Sequence, residues 1–132
     1  MKFSTRAEYG LKAMANLAKD FPRQKTVRDI SKEEKISAKY LERLMGWLRN
    51  KNLVQSHKGK SGGYILARNP AKIKVGEIVE ILEGPISPMG CVGKICALEH
   101  KCSSSFVWAK VGVQIKETLY AIKLSDLIYT KK

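Results

Sequence analysis

The stretch TVRDISKEEKISAKYLERLMGWLRN, residues 26–50, contains two short helical patterns that follow one another closely. Thr26 is a capping hydroxyl with an acid, Asp29, three residues later, and Ile30 opens the first helix, predicted to run to about Lys35. Ser37 caps a second helix, predicted over 38–50, whose apolar stripe is Tyr40, Leu41, Leu44, Met45 and Leu48. Two short helices in tandem, the second amphipathic and basic, have the layout of a helix-turn-helix.

The residues that follow predict a β-hairpin. Residues 53–56 and 64–67, LVQS and YILA, have the composition of two strands, and between them lies the basic turn HKGKSGG. Its glycines allow a tight turn, and their missing side chains let backbone N–H groups approach phosphates closely. A helix pair followed by this hairpin predicts a winged helix-turn-helix with its wing at about 53–67; a plain solvated hairpin is the alternative.

Helical patterns flank this unit on both sides. A first helix is predicted over 6–19, another over 75–82, a long one over 106–123 and a short one over 125–129. The long helix has an apolar stripe made of Trp108, Val111, Ile115, Leu119 and Ile122. Either it packs on the first helix, or two copies pair through it in a two-fold dimer, which we favour. The predicted fold class is mainly α with a small β-hairpin: a winged helix-turn-helix plus a long C-terminal dimerisation helix.

The composition narrows the partners of the chain. Its 132 residues contain 25 Lys and Arg against 12 Asp and Glu, a formal net charge of +13 that attracts polyanions. The net charge alone does not show whether the partner is DNA, RNA or an acidic membrane. No run approaches the roughly 18 apolar residues of a membrane span, and the first residues lack a secretory signal pattern. We therefore expect a cytoplasmic protein with no membrane partner.

Three cysteines lie close together, and the chain has no others: Cys91, Cys96 and Cys102 are separated by gaps of four and five residues. An odd, clustered set in a reducing compartment favours metal binding or reactivity over a disulfide framework. Structural zinc is usually bound by two pairs of closely spaced cysteines, or by one such pair and two other ligands. Cysteines separated by wider and nearly even gaps suit an iron–sulfur cluster. Lys94 and Lys101 favour the thiolate form that a soft metal requires.

The chain resembles the IscR, NsrR and CymR family of bacterial winged-helix regulators. The resemblance covers nearly the whole sequence and lies in the segments Met1-Lys2-Phe3-Ser4-Thr5, Tyr9-Gly10-Leu11, Ser37-Ala38-Lys39-Tyr40-Leu41-Glu42-Arg43-Leu44, Gly62-Gly63-Tyr64-Ile65-Leu66 and Leu82-Glu83-Gly84-Pro85-Ile86. It implies a homodimer held by the long C-terminal helix, with the recognition helix in the DNA major groove and the wing at the minor groove or backbone.

The resemblance also implies a cofactor site. Cluster-binding members ligate iron through three loop cysteines, matched here by Cys91, Cys96 and Cys102, whereas CymR-like members lack them. IscR proteins take a histidine three residues after the last cysteine as fourth ligand, and Ser105 stands there in this chain. Some NsrR-like members use an acid, donated by the partner subunit, at the position of Glu8, which is therefore our first choice. His100 and Glu99 are competing ligands, and Glu8 as a mere surface acid is the alternative. A 2Fe–2S cluster is favoured and a 4Fe–4S cluster stays open.

The DNA-contacting residues are predicted on the second helix of the pair and on the wing. Ser37, Tyr40 and Arg43 lie where such a helix meets the groove, and the resemblance implies that Glu42 accepts a hydrogen bond from a cytosine amino group. Phosphate neutralisation is expected from Arg28, Lys39, Lys58 and Lys60. The remaining residues predicted to contact DNA belong to the wing: Ser61, Gly62, Gly63 and Tyr64.

These expectations combine into one hypothesis of function. Residues 1–84 form a DNA-binding domain, 85–104 a cluster-binding cysteine loop, and 105–132 the dimerisation helix and tail. The chain is predicted to be a transcriptional repressor that senses iron–sulfur supply, iron, oxygen or nitric oxide. A repressor switched by cysteine oxidation and an iron–sulfur electron carrier are the alternatives. An enzyme is not expected, because His57 lies in the wing and His100 has no acid and nucleophile partner.

Overall fold

The computed structural model describes residues 2–59, 62–86 and 104–129, and this part of the chain contains six α-helices and one two-stranded sheet. The helices are α1 (Thr5–Lys19), α2 (Val27–Glu34), α3 (Ala38–Asn50), α4 (Val75–Glu83), α5 (Ser105–Ala121) and α6 (Asp126–Tyr129). The strands are β1 (Val54–His57) and β2 (Gly63–Leu66), and a 3-10 turn, Pro70–Lys72, precedes α4. The prediction of a mainly α chain with a small β-hairpin is confirmed.

Local sequence signals determine where the tandem helices begin and end. The Thr26 hydroxyl accepts a hydrogen bond from the Asp29 N–H at 3.0 Å, and the Asp29 carboxylate accepts one from the Thr26 N–H at 3.2 Å. α2 ends because Lys35 takes a left-handed conformation with φ of 57°. The Ser37 hydroxyl then caps α3 by accepting from the Tyr40 N–H at 3.3 Å. Both predicted caps are confirmed.

The core lies between α1, α3 and α4, and the hairpin and the C-terminal segment complete it. Leu41, Leu44, Met45 and Leu48 of the predicted α3 stripe are fully buried, whereas Tyr40 is half-buried. Other core residues are Ala13, Met14, Leu17, Ile30, Leu53, Val54, Leu66, Ile73, Ile78, Leu82 and Leu124. α3 is therefore held in place by apolar packing that the chain supplies by itself.

A buried lysine, which the sequence analysis did not anticipate, joins α1 to α2. The side chain of Lys25 is only 1% exposed, and its ammonium group donates to Asn16 Oδ1 at 2.6 Å, Asp20 Oδ2 at 2.7 Å and Glu33 Oε1 at 2.5 Å. Asn16, also buried, donates to Glu33 at 2.9 Å and Glu34 at 2.7 Å. Hydrogen bonding to Lys25 lowers the pKa of both Asp20 and Glu33. Buried charge is tolerated here because each donor has an acceptor.

The hairpin is attached to the helical core through the backbone. β1 and β2 pair antiparallel, with Val54 opposite Leu66 and His57 opposite Gly63. Lys25 and Tyr64 exchange two backbone hydrogen bonds, of 3.0 and 2.7 Å. Gly63 has φ of 143°, and a Cβ there would lie 2.5 Å from the Lys25 carbonyl oxygen. Its missing side chain therefore serves the close approach of β2 to the core.

α5 packs chiefly against α4. Gly76 allows the ring of Tyr120 to lie directly on α4, since a Cβ there would be 2.2 Å from a ring carbon. The Tyr120 hydroxyl donates to the Glu80 carboxylate, which with burial raises the pKa of Tyr120 to about 12. After α5 the chain returns to the core, where Leu124 is fully buried. No helix in the described ranges is both long and apolar enough to cross a membrane.

α5 exposes large apolar side chains beside its charged and polar ones. Gly112 is the one buried residue of this helix, while Phe106 is 68% exposed, Val113 53% and Val111 37%. The other members of the predicted stripe, Trp108, Ile115, Leu119 and Ile122, are half-buried. Packing within the chain therefore leaves this face incomplete.

Candidate nucleic-acid interface and effector site

The exposed face of α3 has the predicted charged residues. Lys39, Glu42 and Arg43 are exposed, on the side opposite the buried stripe. Ser37 is exposed at the start of the helix, and its oxygen already accepts the capping bond from Tyr40. The half-buried Tyr40 ring meets Tyr9 of α1 edge-on, with centroids 6.0 Å apart. Tyr40 therefore has a packing role in addition to any contact with a ligand.

The elements that flank α3 add further positive charge. Arg28 on α2 and Lys58 just after β1 are exposed, and both α2 and β1 pack against α3. At the wing, Gly62 and Gly63 are half-buried, and the half-buried Tyr64 packs against the core. Lys60 and Ser61, also predicted to contact DNA, lie outside the described residues. Helix and hairpin together offer a basic surface suited to a polyanion.

A contact that the sequence analysis missed lies beside Arg43. Its guanidinium carbon is 5.4 Å from the centroid of the Trp47 ring, and that of Arg6 from α1 is 4.6 Å from the same centroid. Arg43 and Trp47 are four residues apart and thus neighbours on the helix surface, so their pairing could have been predicted. The participation of Arg6 depends on tertiary packing, for which the sequence has no local signal.

The end of α4 is fastened to the start of α1. The Ser4 N–H and hydroxyl both donate to Glu83 Oε1, at 2.9 and 2.7 Å, and Arg6 Nη1 donates to the Leu82 carbonyl at 3.4 Å. Gly84, with φ of 95°, then ends the helix. The chain enters the cysteine-containing segment directly after this point, so the junction between α1 and α4 fixes where that segment begins.

Glu8 lies within the first turn of α1, close to this junction. Its side chain is 62% exposed and forms an ion pair with Lys12 at 3.8 Å, which is weak because both groups are solvated. Glu8 also lines a cleft of about 270 Å³ between α1, α4 and α5, whose other lining residues include Phe3, Ala7, Leu11, Val79 and Leu119. The carboxylate is therefore accessible to an incoming ligand on a largely apolar background.

The other predicted ligands cannot be located in the same way. Cys91, Cys96, Cys102, Glu99 and His100 all lie outside the described residues. Within the described ranges no group of three or more His, Cys, Asp or Glu side chains could hold a metal ion. A centre that includes Glu8 would thus take its other ligands from the cysteine segment. Three thiolates and one carboxylate are a donor set that iron can accept.

Comparison with known proteins agrees with this geometry. Residues 3–130 match the Rrf2 family, described as "Iron-dependent Transcriptional regulator". The "HTH-type transcriptional regulator CymR" of Bacillus subtilis (strain 168) is 37% identical over 128 residues, covering 96% of this chain and 89% of that protein. The solved structure of CymR, the global cysteine regulator of B. subtilis, has a TM-score of 0.82 and 34% identity, covering 100% of this chain and 99% of that one. T. potens IscR has a TM-score of 0.79 and 35% identity, covering 100% and 89%.

These similarities confirm three predictions. The helices and two-stranded hairpin match the CymR and IscR structures, which confirms the winged-helix fold class. The relatives are transcriptional regulators and not enzymes. Regulators of this kind bind DNA, which fits the basic surface around α3. The chain belongs to the Rrf2 family of transcriptional regulators.

Proposed function

We propose that the chain is a homodimeric repressor whose operator affinity is set by an iron–sulfur cluster. Cys91, Cys96 and Cys102 would hold the cluster with Glu8 as fourth ligand, and the family resemblance assigns this Glu8 to the partner subunit. The observation that carries this proposal is the accessibility of Glu8, an exposed carboxylate that lines a largely apolar cleft. A 2Fe–2S cluster is the favoured form.

The residues of the junction give the cluster site its influence on DNA binding. When bound, the cluster supplies an iron- and redox-dependent link between the thiolates and Glu8. Ser4 and Arg6 already hold the end of α4 against α1. A change in the cysteine segment therefore acts on helices that pack directly against α3. Coupling of about 1–3 kcal/mol is typical of such linkage and would change operator occupancy roughly 5- to 150-fold.

On the DNA side, we propose that α3 enters the major groove. Arg43 and Ser37 would contact the groove, and Glu42 would accept from a cytosine amino group. Arg28, Lys39, Lys58 and Lys60 would neutralise phosphates, while Tyr40 and the wing residues Ser61, Gly62, Gly63 and Tyr64 would line the approach to the backbone. The exposure of Lys39, Glu42 and Arg43 on one face of α3 supports this assignment.

Exposed apolar residues of α5 support a dimer. Val107 and Val111, four residues apart on one side of the helix, offer a surface that water does not favour and that a second copy of the helix would cover. A two-fold dimer presents the same face from both subunits, and it places two recognition helices for two half-sites of one operator.

Iron and acid-labile sulfide content, with absorption spectra, of protein isolated without oxygen tests the proposal. Wild type should contain both elements and absorb in the visible range. Glu8→Ala should lose or markedly change this spectrum, and Glu117→Ala, which removes an exposed carboxylate from α5, should not. An unchanged Glu8→Ala spectrum would exclude Glu8 as a ligand.

A second candidate is a repressor switched by cysteine oxidation. The similarity to Staphylococcus aureus CymR, of which an oxidised form has been solved, supports it, although CymR-like members lack the three loop cysteines. In that case oxygen-free protein would be colourless and free of iron but would bind its operator normally. Treatment with peroxide would then change operator affinity in wild type and leave a variant with all three cysteines replaced by serine unaffected.

A further inference from the structure

We propose that Trp47 is a positioning residue that links Arg6, at the junction of α1 and α4, to Arg43 on the exposed face of α3. Through its ring, the position of Arg6 sets how freely Arg43 reaches DNA. This inference rests on the proposed role of α3 in DNA binding and deepens it, because it assigns the contact that connects the effector side of the molecule to a DNA-contacting residue.

Arg6 contacts both the end of α4 and the ring of Trp47. Its guanidinium donates to the carbonyl of Leu82 at 3.4 Å and lies 4.6 Å from the centroid of the Trp47 ring. The last carbonyls of a helix have partial negative charge, so the end of α4 attracts this cation. Movement at the end of α4 would therefore move Arg6 relative to Trp47.

Arg6 and Arg43 both lie near the ring of Trp47 and compete for it. Arg43 lies 5.4 Å from the same centroid, farther than Arg6, and its side chain is exposed. Two guanidinium groups near one ring repel each other, so Arg6 weakens the hold of Trp47 on Arg43. If Arg6 leaves, the ring attracts Arg43 more strongly and withdraws it from DNA. Trp47, which is half-buried against the core, keeps its own position in both cases.

A neighbouring contact between the same helices provides a contrast. Tyr9 and Tyr40 meet edge-on at 6.0 Å, and this pair contains no guanidinium group. If general packing of α1 on α3 carried the effect, Tyr9→Leu would alter the interaction between Arg6 and Arg43 as much as Trp47→Leu does. If the Trp47 ring carries it, Tyr9→Leu leaves that interaction in place.

A double-mutant cycle on operator affinity tests the inference. The DNA is selected from a random duplex pool by the wild-type chain, and affinities are measured by fluorescence anisotropy over a range of salt concentrations. Arg6→Ala should weaken binding about threefold in wild type, consistent with one cation–π contact, and have no effect in Arg43→Ala or Trp47→Leu. The salt dependence should stay unchanged, unlike the loss of a phosphate contact. Lys19→Ala, an equal loss of charge on α1, should leave affinity unaltered.

Independent effects of Arg6→Ala and Arg43→Ala, with wild type binding normally, would overturn the inference alone. A wild-type chain that selects no DNA sequence would overturn the proposed function and the inference with it. If thermal unfolding shows that Trp47→Leu does not fold, Trp47→Phe replaces it. With the smaller ring of phenylalanine, the interaction between Arg6 and Arg43 should be weaker than in wild type. An interaction as strong as in wild type would contradict the role of the indole.

Discussion

Helices α3 and α5 both lie at the surface, yet they differ in what they bury and what they expose. α3 buries four apolar side chains, Leu41, Leu44, Met45 and Leu48, and exposes charged ones. α5 buries only Gly112 and exposes Phe106, Val107, Val111 and Val113. The chain therefore completes the packing of α3 by itself and leaves that of α5 incomplete. The exposed face of each helix indicates a different partner: a polyanion for α3 and an apolar surface for α5.

The largest expected effect is on the inner face of α3. Leu44→Ala should lower the free energy of unfolding by about 3 kcal/mol, because it leaves a cavity in a fully buried site. This loss, measured by denaturant unfolding, should not depend on protein concentration. The matched truncation Leu119→Ala, at a half-buried site of α5, should cost less. Equal losses in the free energy of unfolding for the two variants would show that α3 and α5 do not differ in how completely they are packed.

The second prediction concerns the outer face of α5. Val111→Asp should dissociate the proposed dimer, because an apolar interface disfavours a buried carboxylate. Sedimentation should then give the mass of a single chain, 14.8 kDa, with an unchanged circular dichroism spectrum. Ala109→Asp, at an exposed position on the opposite side of the same helix, serves as the control. A dimer that persists in Val111→Asp would show that another surface pairs the subunits.

Substitutions on the outer face of α3 should change DNA binding and leave the oligomeric state unchanged. Glu42→Ala should relax the preference for one base pair of the operator by about 1–3 kcal/mol. Lys39→Ala should weaken binding to all sequences alike and reduce the salt slope by about one, as expected for a phosphate contact. Competition assays with single-base operator variants distinguish the two. A uniform loss in Glu42→Ala would contradict its assignment to base recognition.

The smallest expected effect is a loss of folding stability at low pH, where the ion pairs of Lys25 between α1 and α2 are weakened. Lys25 lowers the pKa of Asp20 and Glu33 below their ordinary values of 3.8 and 4.5. Their contribution to stability is therefore present above these values and lost as pH falls below them, because the unfolded chain takes up protons first. Asp20→Asn should flatten the stability curve between about pH 5 and 3. A curve as steep as that of wild type would show that Asp20 does not contribute.

The elements defined by local signals could be predicted from the sequence. The Ser37 cap and the apolar stripe gave the observed bounds of α3, whereas α2 begins at Val27, directly after its Thr26 cap and three residues before the predicted Ile30. The helix predicted over 75–82 likewise ends at Glu83 in the structure, one residue later. These features depend on a few neighbouring residues, which is why periodicity and capping chemistry suffice to find them.

Features that depend on long-range packing could not be predicted. Lys25 looks like any surface lysine in the sequence, and only the fold brings Asn16 and Glu33 around it. Gly63 was attributed to turning and to phosphate approach, but its missing side chain is required by the Lys25 backbone. The contact of Arg6 with Trp47 joins residues 41 positions apart by their numbers. At the effector site, Glu8 was chosen by family resemblance, since nothing in its local pattern distinguishes it from a surface acid.

The central claim is that the cysteine segment, loaded with iron and sulfide, sets operator affinity. Operator affinity should be measured for the iron-free chain and again after reconstitution with ferrous iron and sulfide without oxygen, both for wild type and for the variant with Cys91, Cys96 and Cys102 all changed to serine. We expect about a tenfold change, or about 1.4 kcal/mol, in wild type and none in the variant. Equal affinities of wild type before and after reconstitution would contradict it.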